Sequence, residues 1–320
     1  MSTDGDSITR GDAEALIPEE TSNEILQDLP RTSAALTLFR RMTMSRKQRR
    51  LPVLAALPFA YFRQGDTGMA RPSNMAWDKK FLEAEELDCL VPIPNLVLDD
   101  AEYDIWGEIK PRIAEAIGAT LDGAVFFSIN KPDTWPASVI AQAVAAGNEF
   151  VRGSVPDQKL DLDINAAMSL IEDDGFDVNG FAARKSIKGG LRGLRTDDGA
   201  LLFQPTLQAG TPDTLYGESI FYAQNGGWVE EQADLITGDY SQGIIGVRKD
   251  ISWKILDQAS IHDPVTGALL YNLAQQDMKA MMVTFRCAYQ VANPATRARP
   301  NPADRSPFAV LRPAGYTPTP

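Results

Sequence analysis

The sequence predicts an α+β fold, and three patterns carry that prediction. Between residues 105 and 121 a branched apolar side chain recurs every fourth position, at Ile105, Ile109, Ile113, Ile117 and Leu121, flanked by Trp106, Ala116 and Ala124. That spacing is one face of an α-helix. Between 281 and 291 the apolar residues Met281, Val283, Phe285, Cys287, Tyr289 and Val291 alternate with Met282, Thr284, Arg286, Ala288 and Gln290. A strict period of two is a half-buried strand. From Val155 onward, short segments separated by turn residues surround a single helical stripe, the texture of a mixed domain. With 320 residues, the chain holds about two domains at roughly 150 residues each.

Element by element, residues 1–30 read as an acidic arm. Ser33 to Leu57 ends in LPVLAALP, a strand between prolines. Arg63 to Asp78 is rich in Gly, Asp, Ser, Asn and Pro, and Lys80 to Pro94 is extended again, so the two strands frame a long projecting hairpin. Asp99 or Asp100 caps the long helix, with Glu102 and Asp104 in its first turn. Pro111 falls inside that helix, where it costs about 3 kcal/mol and predicts a kink. A short alanine-rich helix follows over 136–147. Leu160, Ile164, Ala167, Met168 and Ile171 form a helical stripe closed by Asp173-Asp174-Gly175. Turns are expected at 175–177, 196–199, 225–227 and 238–239. Strands crossing a glycine-rich bend are expected over 235–247. Seven of the 21 prolines lie in 292–320, which reads as an extended tail.

The net charge of −12 is unevenly spread. Residues 1–30 hold eight acids and one Arg, whereas 31–51 hold seven bases and no acid. Residues 52–291 carry −15 and 292–320 carry +3. The basic block MSRKQRR sits in no recognisable helix-turn-helix or finger context, so an arm that pairs with acidic neighbours is the preferred reading over nucleic-acid contact. Mean hydropathy is −0.21, and no run of about 18 apolar residues is present to cross a membrane as a helix. The first 30 residues show no secretory signal pattern. Cys89 and Cys287, the two cysteines, make neither a disulfide framework nor a cysteine zinc site, and suit a reducing compartment.

Motifs for catalysis are sparse, and no catalytic, cofactor-binding or metal-binding residue is assigned. His262, the sole histidine, lies in Ser-Ile-His-Asp-Pro with no serine elbow and reads as a turn residue. Gly189-Gly190-Leu191-Arg192-Gly193 is no phosphate loop, because no Lys-Ser/Thr follows, and G-x-G-x-x-G is absent. Asp161, Asp163, Asn165 and Glu172 occupy positions 1, 3, 5 and 12 of a calcium loop. Position 6 is Ala166 where a sharp turn requires Gly, so these acids read as caps before an amphipathic helix. Lys185, Lys188, Arg192 and Arg195 share one face of a short helix that glycines weaken, and read as solvated. Glu85-Glu86 and Asp99-Asp100 are sequence neighbours rather than general acid/base pairs. A cytosolic carboxylate or metal enzyme is thus a distant alternative.

Four stretches carry a resemblance: LPVLAALPFAYF at 51–62, VPIPNLVLDDAEYDIWGEIKPRIAEAIGATLDGAVFF at 91–127, GDYSQGIIGVRKDISWKILDQA at 238–259 and QQDMKAMMVTFRCAYQVANP at 275–294. Together, in that order, they resemble the tailed-phage major capsid protein family of the Hong Kong 97-like fold, in particular its actinobacteriophage members. The resemblance implies an N-terminal arm at 1–52, an E-loop at 53–94 and a P-domain with a spine helix at 95–150. It further implies an A-domain at 151–277, and a P-domain closing strand with a C-terminal tail at 278–320. It implies a virion protein, assembled in the host cytoplasm, that builds icosahedral shells as pentamers and hexamers around double-stranded DNA. Because the matched fold begins near residue 33, no long cleaved scaffolding region is expected, and a separate scaffold protein or unaided assembly is. Portal and decoration proteins are further partners by the same likeness. Some members join an E-loop lysine to a P-domain asparagine with help from a glutamate. Lys79 and Lys80 lie at the right end of the loop and Asn293 and Asn301 follow the last strand, but 278–320 contain no Glu, so non-covalent contacts are expected. An encapsulin-type cargo shell is the nearest alternative.

Overall fold

The structure, a computed structural model, describes residues 33–63, 65, 68–99, 105–156, 158–195 and 213–317. The acidic stretch 1–30, the capping acids Asp100, Glu102 and Asp104, and the turn at 196–199 lie outside the described residues.

Ser33 opens the described chain by capping a five-residue helix, α1 (Ala34–Leu38), its hydroxyl accepting from the Leu36 amide. Ala34, Ala35 and Leu36 are buried. Phe39 then fills the centre of the molecule, with ring centroids 5.6 Å from Phe126 and Tyr240, 6.2 Å from Tyr289 and 5.8 Å from Phe308. The first described residues are therefore core, although the sequence placed them in an arm. After β1 (Arg40–Thr43) come β2 (Gln48–Ala56) and β3 (Ala76–Glu83), which pair antiparallel from Gln48–Glu83 to Ala56–Ala76. Pro52 sits inside β2 rather than bounding it. A two-stranded ribbon has only edges, so an unpaired side remains where a missing N–H costs nothing.

Ala84 separates β3 from β4 (Glu85–Pro94), and α2 (Asn95–Asp99) precedes the long α3 (Ile105–Phe127). Helix α3 has 23 residues and runs through Pro111. Its second half carries the buried Ile113, Ile117, Leu121, Val125 and Phe126, while Ile105 and Ile109 near its start are only partly covered. Next are α4 (Val139–Ala145), capped by Ser138, β5 (Glu149–Val151) and α5 (Leu160–Asp173). Gly175, at φ 82°, takes the left-handed conformation that ends α5. The chain continues through β6 (Gly180–Arg184), α6 (Ile187–Gly193), β7 (Thr214–Leu215), β8 (Glu218–Ala223) and β9 (Leu235–Gly238). The last strands are β10 (Gly243–Leu256), the small ribbon β11 (Ser260–His262) with β12 (Leu269–Asn272), β13 (Met278–Val291) and β14 (Phe308–Arg312).

Two sheets organise these elements. One has the order β1-β10-β13-β4, and β13 runs antiparallel to both its neighbours. The alternating residues Met281 to Val291 face the core cluster shared with α1, α3 and Phe308. The other sheet has the order β5-β14-β9-β6-β8-β7 and packs with Ile164 of α5 and with Ile187 and Leu191 of α6. The bend at 238–243 passes the chain from one sheet to the other.

The proline-rich end is the main correction. Residues 308–312 form no tail. They are a fully buried strand between β5 and β9, completing the second sheet. The prolines fall outside it, at Pro307 and Pro313, and Phe-Ala-Val-Leu between them is a continuous apolar run, the pattern of a central strand covered on both faces. Arg305 secures the approach. Its guanidinium donates to the carbonyls of Asn293, Arg299 and Pro300 and to the Asn293 side chain.

Candidate assembly surface

Alternation sorts the hairpin β2–β3 into two faces. Leu51 and Leu82 point inward and pack with Met44, Ile244 and Ala288, and Val53 on the same face is buried too. The other face presents Arg50 opposite Phe81, Pro52 opposite Lys79 and Leu54 opposite Trp77. Trp77 is 61% exposed and Phe81 40%, while Phe59, Phe62, Met69 and Met75 stand exposed in the connection between the strands. Large apolar side chains concentrated on one projecting element mark a surface made to be covered.

The root of the hairpin is tied to the end of β13. Lys80 Nζ donates to the Val291 carbonyl at 2.9 Å, Gln290 Nε2 to the Phe81 carbonyl at 2.9 Å, and the Ala295 amide to the Leu54 carbonyl at 2.8 Å. Burial lowers the Lys80 pKa, with Asp78 opposing and Arg305 reinforcing the change. An open groove of about 490 Å³ lies beside this root, lined by Lys79, Lys80, Glu83, Trp135 and Gln290 among others. Of the two asparagines that follow the last strand, Asn293 is engaged on both side-chain atoms by Arg305, and Asn301 donates to Asp304 at 2.7 Å.

The plain readings of two motifs are corrected: the acids expected as caps before a helix lie within α5, and of the four bases expected on one helix face only Lys188 and Arg192 are on α6, with Lys185 before it and Arg195 after it. Asp161, Asp163, Asn165 and Glu172 are all on α5, stretched along a helix rather than wrapped around a point, and Asp163 accepts from the Gly153 amide. Lys188 pairs with Asp213, Lys185 donates to Gln224, and Arg195 donates to the Arg192 carbonyl. His262 is exposed on β11, its Nδ1 3.2 Å from the Gly267 carbonyl, so it belongs to a strand end beside the turn rather than to the turn itself. Among the described residues no group of His, Cys, Asp and Glu is arranged to hold a metal ion, and no helix is long and apolar enough to cross a membrane.

Two features escaped the sequence. One is the exposed ribbon β11–β12, where Val265, Leu269, Leu270 and Tyr271 are at least 40% exposed. The other is Asp122, buried in the C-terminal third of α3, where an acid on a helix ordinarily signals solvent. Asp122 meets the Asn225-Gly226-Gly227 turn: Asn225 Nδ2 donates to it at 2.7 Å. Gly227 packs so closely on the Ala119 backbone that a Cβ there would overlap it.

A hairpin with an exposed apolar face, a long helix packed with a four-stranded sheet and a second, six-stranded sheet are the features of a structural subunit with a large surface to cover. Residues 13–296 match the phage capsid family, and the chain belongs to that family. It is 24% identical over 292 residues to the major capsid protein of Staphylococcus phage 80alpha, covering 91% of this chain and 86% of that one. A solved structure from Microbacterium phage Oxtober96 is 35% identical and superposes with a TM-score of 0.76 over 96% of this chain and 99% of that one. One from Mycobacterium phage Cain is 30% identical, with a TM-score of 0.77 over 97% of this chain and all of that one. The protein is a structural component of the phage capsid, and its place is the virion.

Proposed function

We propose that this chain is the repeating unit of an icosahedral shell, assembled as pentamers and hexamers, that encloses double-stranded DNA without sequence-specific contact. The observation that carries this reading is the hairpin β2–β3, whose outer face and connection leave Trp77, Phe81, Phe59 and Phe62 uncovered in the single subunit. Stable subunit interfaces of this kind bury about 2,000 Å² or more, and an extended ribbon gains its stability from the neighbour it covers.

In this reading residues 53–94 are the E-loop, and 95–150 with β13 form the P-domain around α3. Residues 151–277, completed by β14, form the A-domain around the five-fold and six-fold axes. E-loop contacts are non-covalent, since the Lys80 ammonium is held by the Val291 carbonyl and Asn293 by Arg305. A separate scaffold protein guides assembly, and a portal occupies one vertex. The net −15 on residues 52–291 keeps packaged DNA from adhering to the wall, since affinity grows with the number of phosphates neutralised.

Particle size of the purified protein, by light scattering with negative-stain microscopy, tests this directly. Hollow shells, or pentamers and hexamers that close on adding scaffold, are expected. A subunit that stays monomeric with scaffold present would overturn the reading.

A further inference from the structure

The structure gathers six bases of the 31–51 block on one short exposed stretch. Arg40 and Arg41 on β1, Arg46 and Lys47 in the turn, and Arg49 and Arg50 at the start of β2 all face solvent. The body answers little of this charge. Lys47 reaches Glu85 at 3.7 Å, while Arg41 and Arg49 donate to the carbonyls of Leu36 and Thr43. Arg40, Arg46 and Arg50 have no acidic partner among the described residues. Cations spaced within a Debye length of about 8 Å repel one another and attract any polyanion at hand.

We propose that the acidic segment at residues 1–30 is the counter-charge of this strip within its own chain, docking on it in the unassembled subunit and masking it from duplex DNA. Three observations favour this occupant. The charges balance, −7 in residues 1–30 against +7 in 31–51. The segment is tethered beside the strip, because Ser33 is held in the core by its bond to Asp122 and Arg40 lies seven residues further on. A short tether gives an effective concentration of about a millimolar, which outcompetes the same segment on a second copy at micromolar concentration. Finally, the segment carries apolar pairs among its acids, Leu16-Ile17 after Glu14 and Ile25-Leu26 after Glu24. They suit a surface where Arg50 stands opposite the exposed Phe81. This masking is independent of shell geometry, because it is a property of the unassembled subunit.

The experiment compares the full chain with a full-length variant in which the eight acids of residues 1–30 are changed to Asn or Gln. Both are titrated against a labelled duplex of about 30 base pairs at about 50 mM salt. A control variant changes the same number of exposed body acids, among them Glu172, Asp173, Asp177 and Glu231. Masking predicts that neutralising residues 1–30 tightens DNA binding at least about tenfold, with a slope of log affinity against log salt near −3 to −5. The body control tightens far less, and adding Arg40→Gln, Arg46→Gln and Arg50→Gln abolishes the gain. No tightening, equal tightening in the control, or a gain that survives the three arginine changes would each overturn the proposal. Masking that appears only as protein concentration rises would move the occupant to a second copy and overturn the own-chain assignment.

Discussion

Asp122, in the C-terminal third of helix α3, accepts the Ser33 hydroxyl at 2.8 Å across 89 residues of sequence. The same carboxylate accepts the amides of Ala34 and Ala35, both at 2.9 Å, and the Asn225 side chain at 2.7 Å. The first amides of any helix lack intrahelical acceptors, and α1 is too short to hold itself together. One buried carboxylate supplies those acceptors and ties three segments into a single joint: the start of the core, the long helix and a turn leading from the second sheet.

Replacing Asp122 with Asn keeps the shape but turns one acceptor into a donor facing donors. Each buried donor left unpaired costs about 1–3 kcal/mol. Asp122→Asn is expected to lower subunit stability by about 2–4 kcal/mol, and Asn225→Ala, which removes one donor to the carboxylate and the acceptor of the Gly227 amide, by about 1–2 kcal/mol. Urea unfolding of the unassembled subunit measures both. Equal losses in the two variants would show that the carboxylate is not the common point.

The joint also carries a pH signature. Burial pushes the Asp122 carboxyl from its ordinary 3.8 up to about 6, with its four hydrogen-bond partners pulling the other way. A folded-state pKa above the unfolded one means that the native state takes up the proton first as pH falls. The stabilisation from this group is therefore fully present below about pH 4 and is lost as pH rises through about 6. Subtracting the urea midpoints of Asp122→Asn from those of the parent between pH 4 and 7.5 should give a curve that falls with rising pH and flattens above about 6.5. A flat difference would place the carboxyl at an ordinary pKa.

Sequence legibility followed repeat length. Helix α3 and strand β13 were readable because each repeats its period often enough to exclude the other, five apolar turns in one and six alternations in the other. Helix α1 has five residues, too few to show any period, so Ala34–Leu38 passed as arm. Strand β14 is buried on both faces and does not alternate, and the prolines around it masked a core strand as a tail. The hairpin was legible as two strands around a long connection, but its apolar outer face was not. Trp77 and Phe81 become one surface only through the register that sets Leu54 and Arg50 opposite them. Asp122 was invisible because its partners are 89 and 103 residues away in sequence.

Arg305 anchors the chain into β14, so its loss should be felt far from its own position. Buried to 3% exposure, it donates at 2.6–3.1 Å to three carbonyls and one side-chain oxygen. A planar five-donor fork makes that pattern, and neither Lys nor Gln reproduces it. Arg305→Gln is expected to cost about 2–4 kcal/mol, as several carbonyls lose a charged donor. Trypsin should then cut after Arg297 faster than in the parent while residues 105–127 stay protected. Unchanged cutting would mean that Pro300 and Pro302 alone hold the segment.

The hairpin's outer face offers the opposite case, a change felt by the shell and not by the subunit. Trp77 and Phe81 lie outside every core cluster, so Trp77→Ser with Phe81→Ser should alter subunit stability by no more than about 0.5 kcal/mol each, the usual range for surface sites. If these rings are covered by a neighbouring copy on assembly, each forfeits about 1.5–3 kcal/mol of burial per interface. A loss of that size per contact multiplies around a ring of five or six subunits, so closed particles should give way to free subunits at concentrations where the parent assembles fully. Light scattering across a dilution series reads this shift, and thermal unfolding of the same samples confirms an intact subunit. Particles that form at the parent's concentration would show that the rings stay exposed in the shell, and would move the binding energy elsewhere, with the exposed ribbon Val265–Tyr271 the next surface to change.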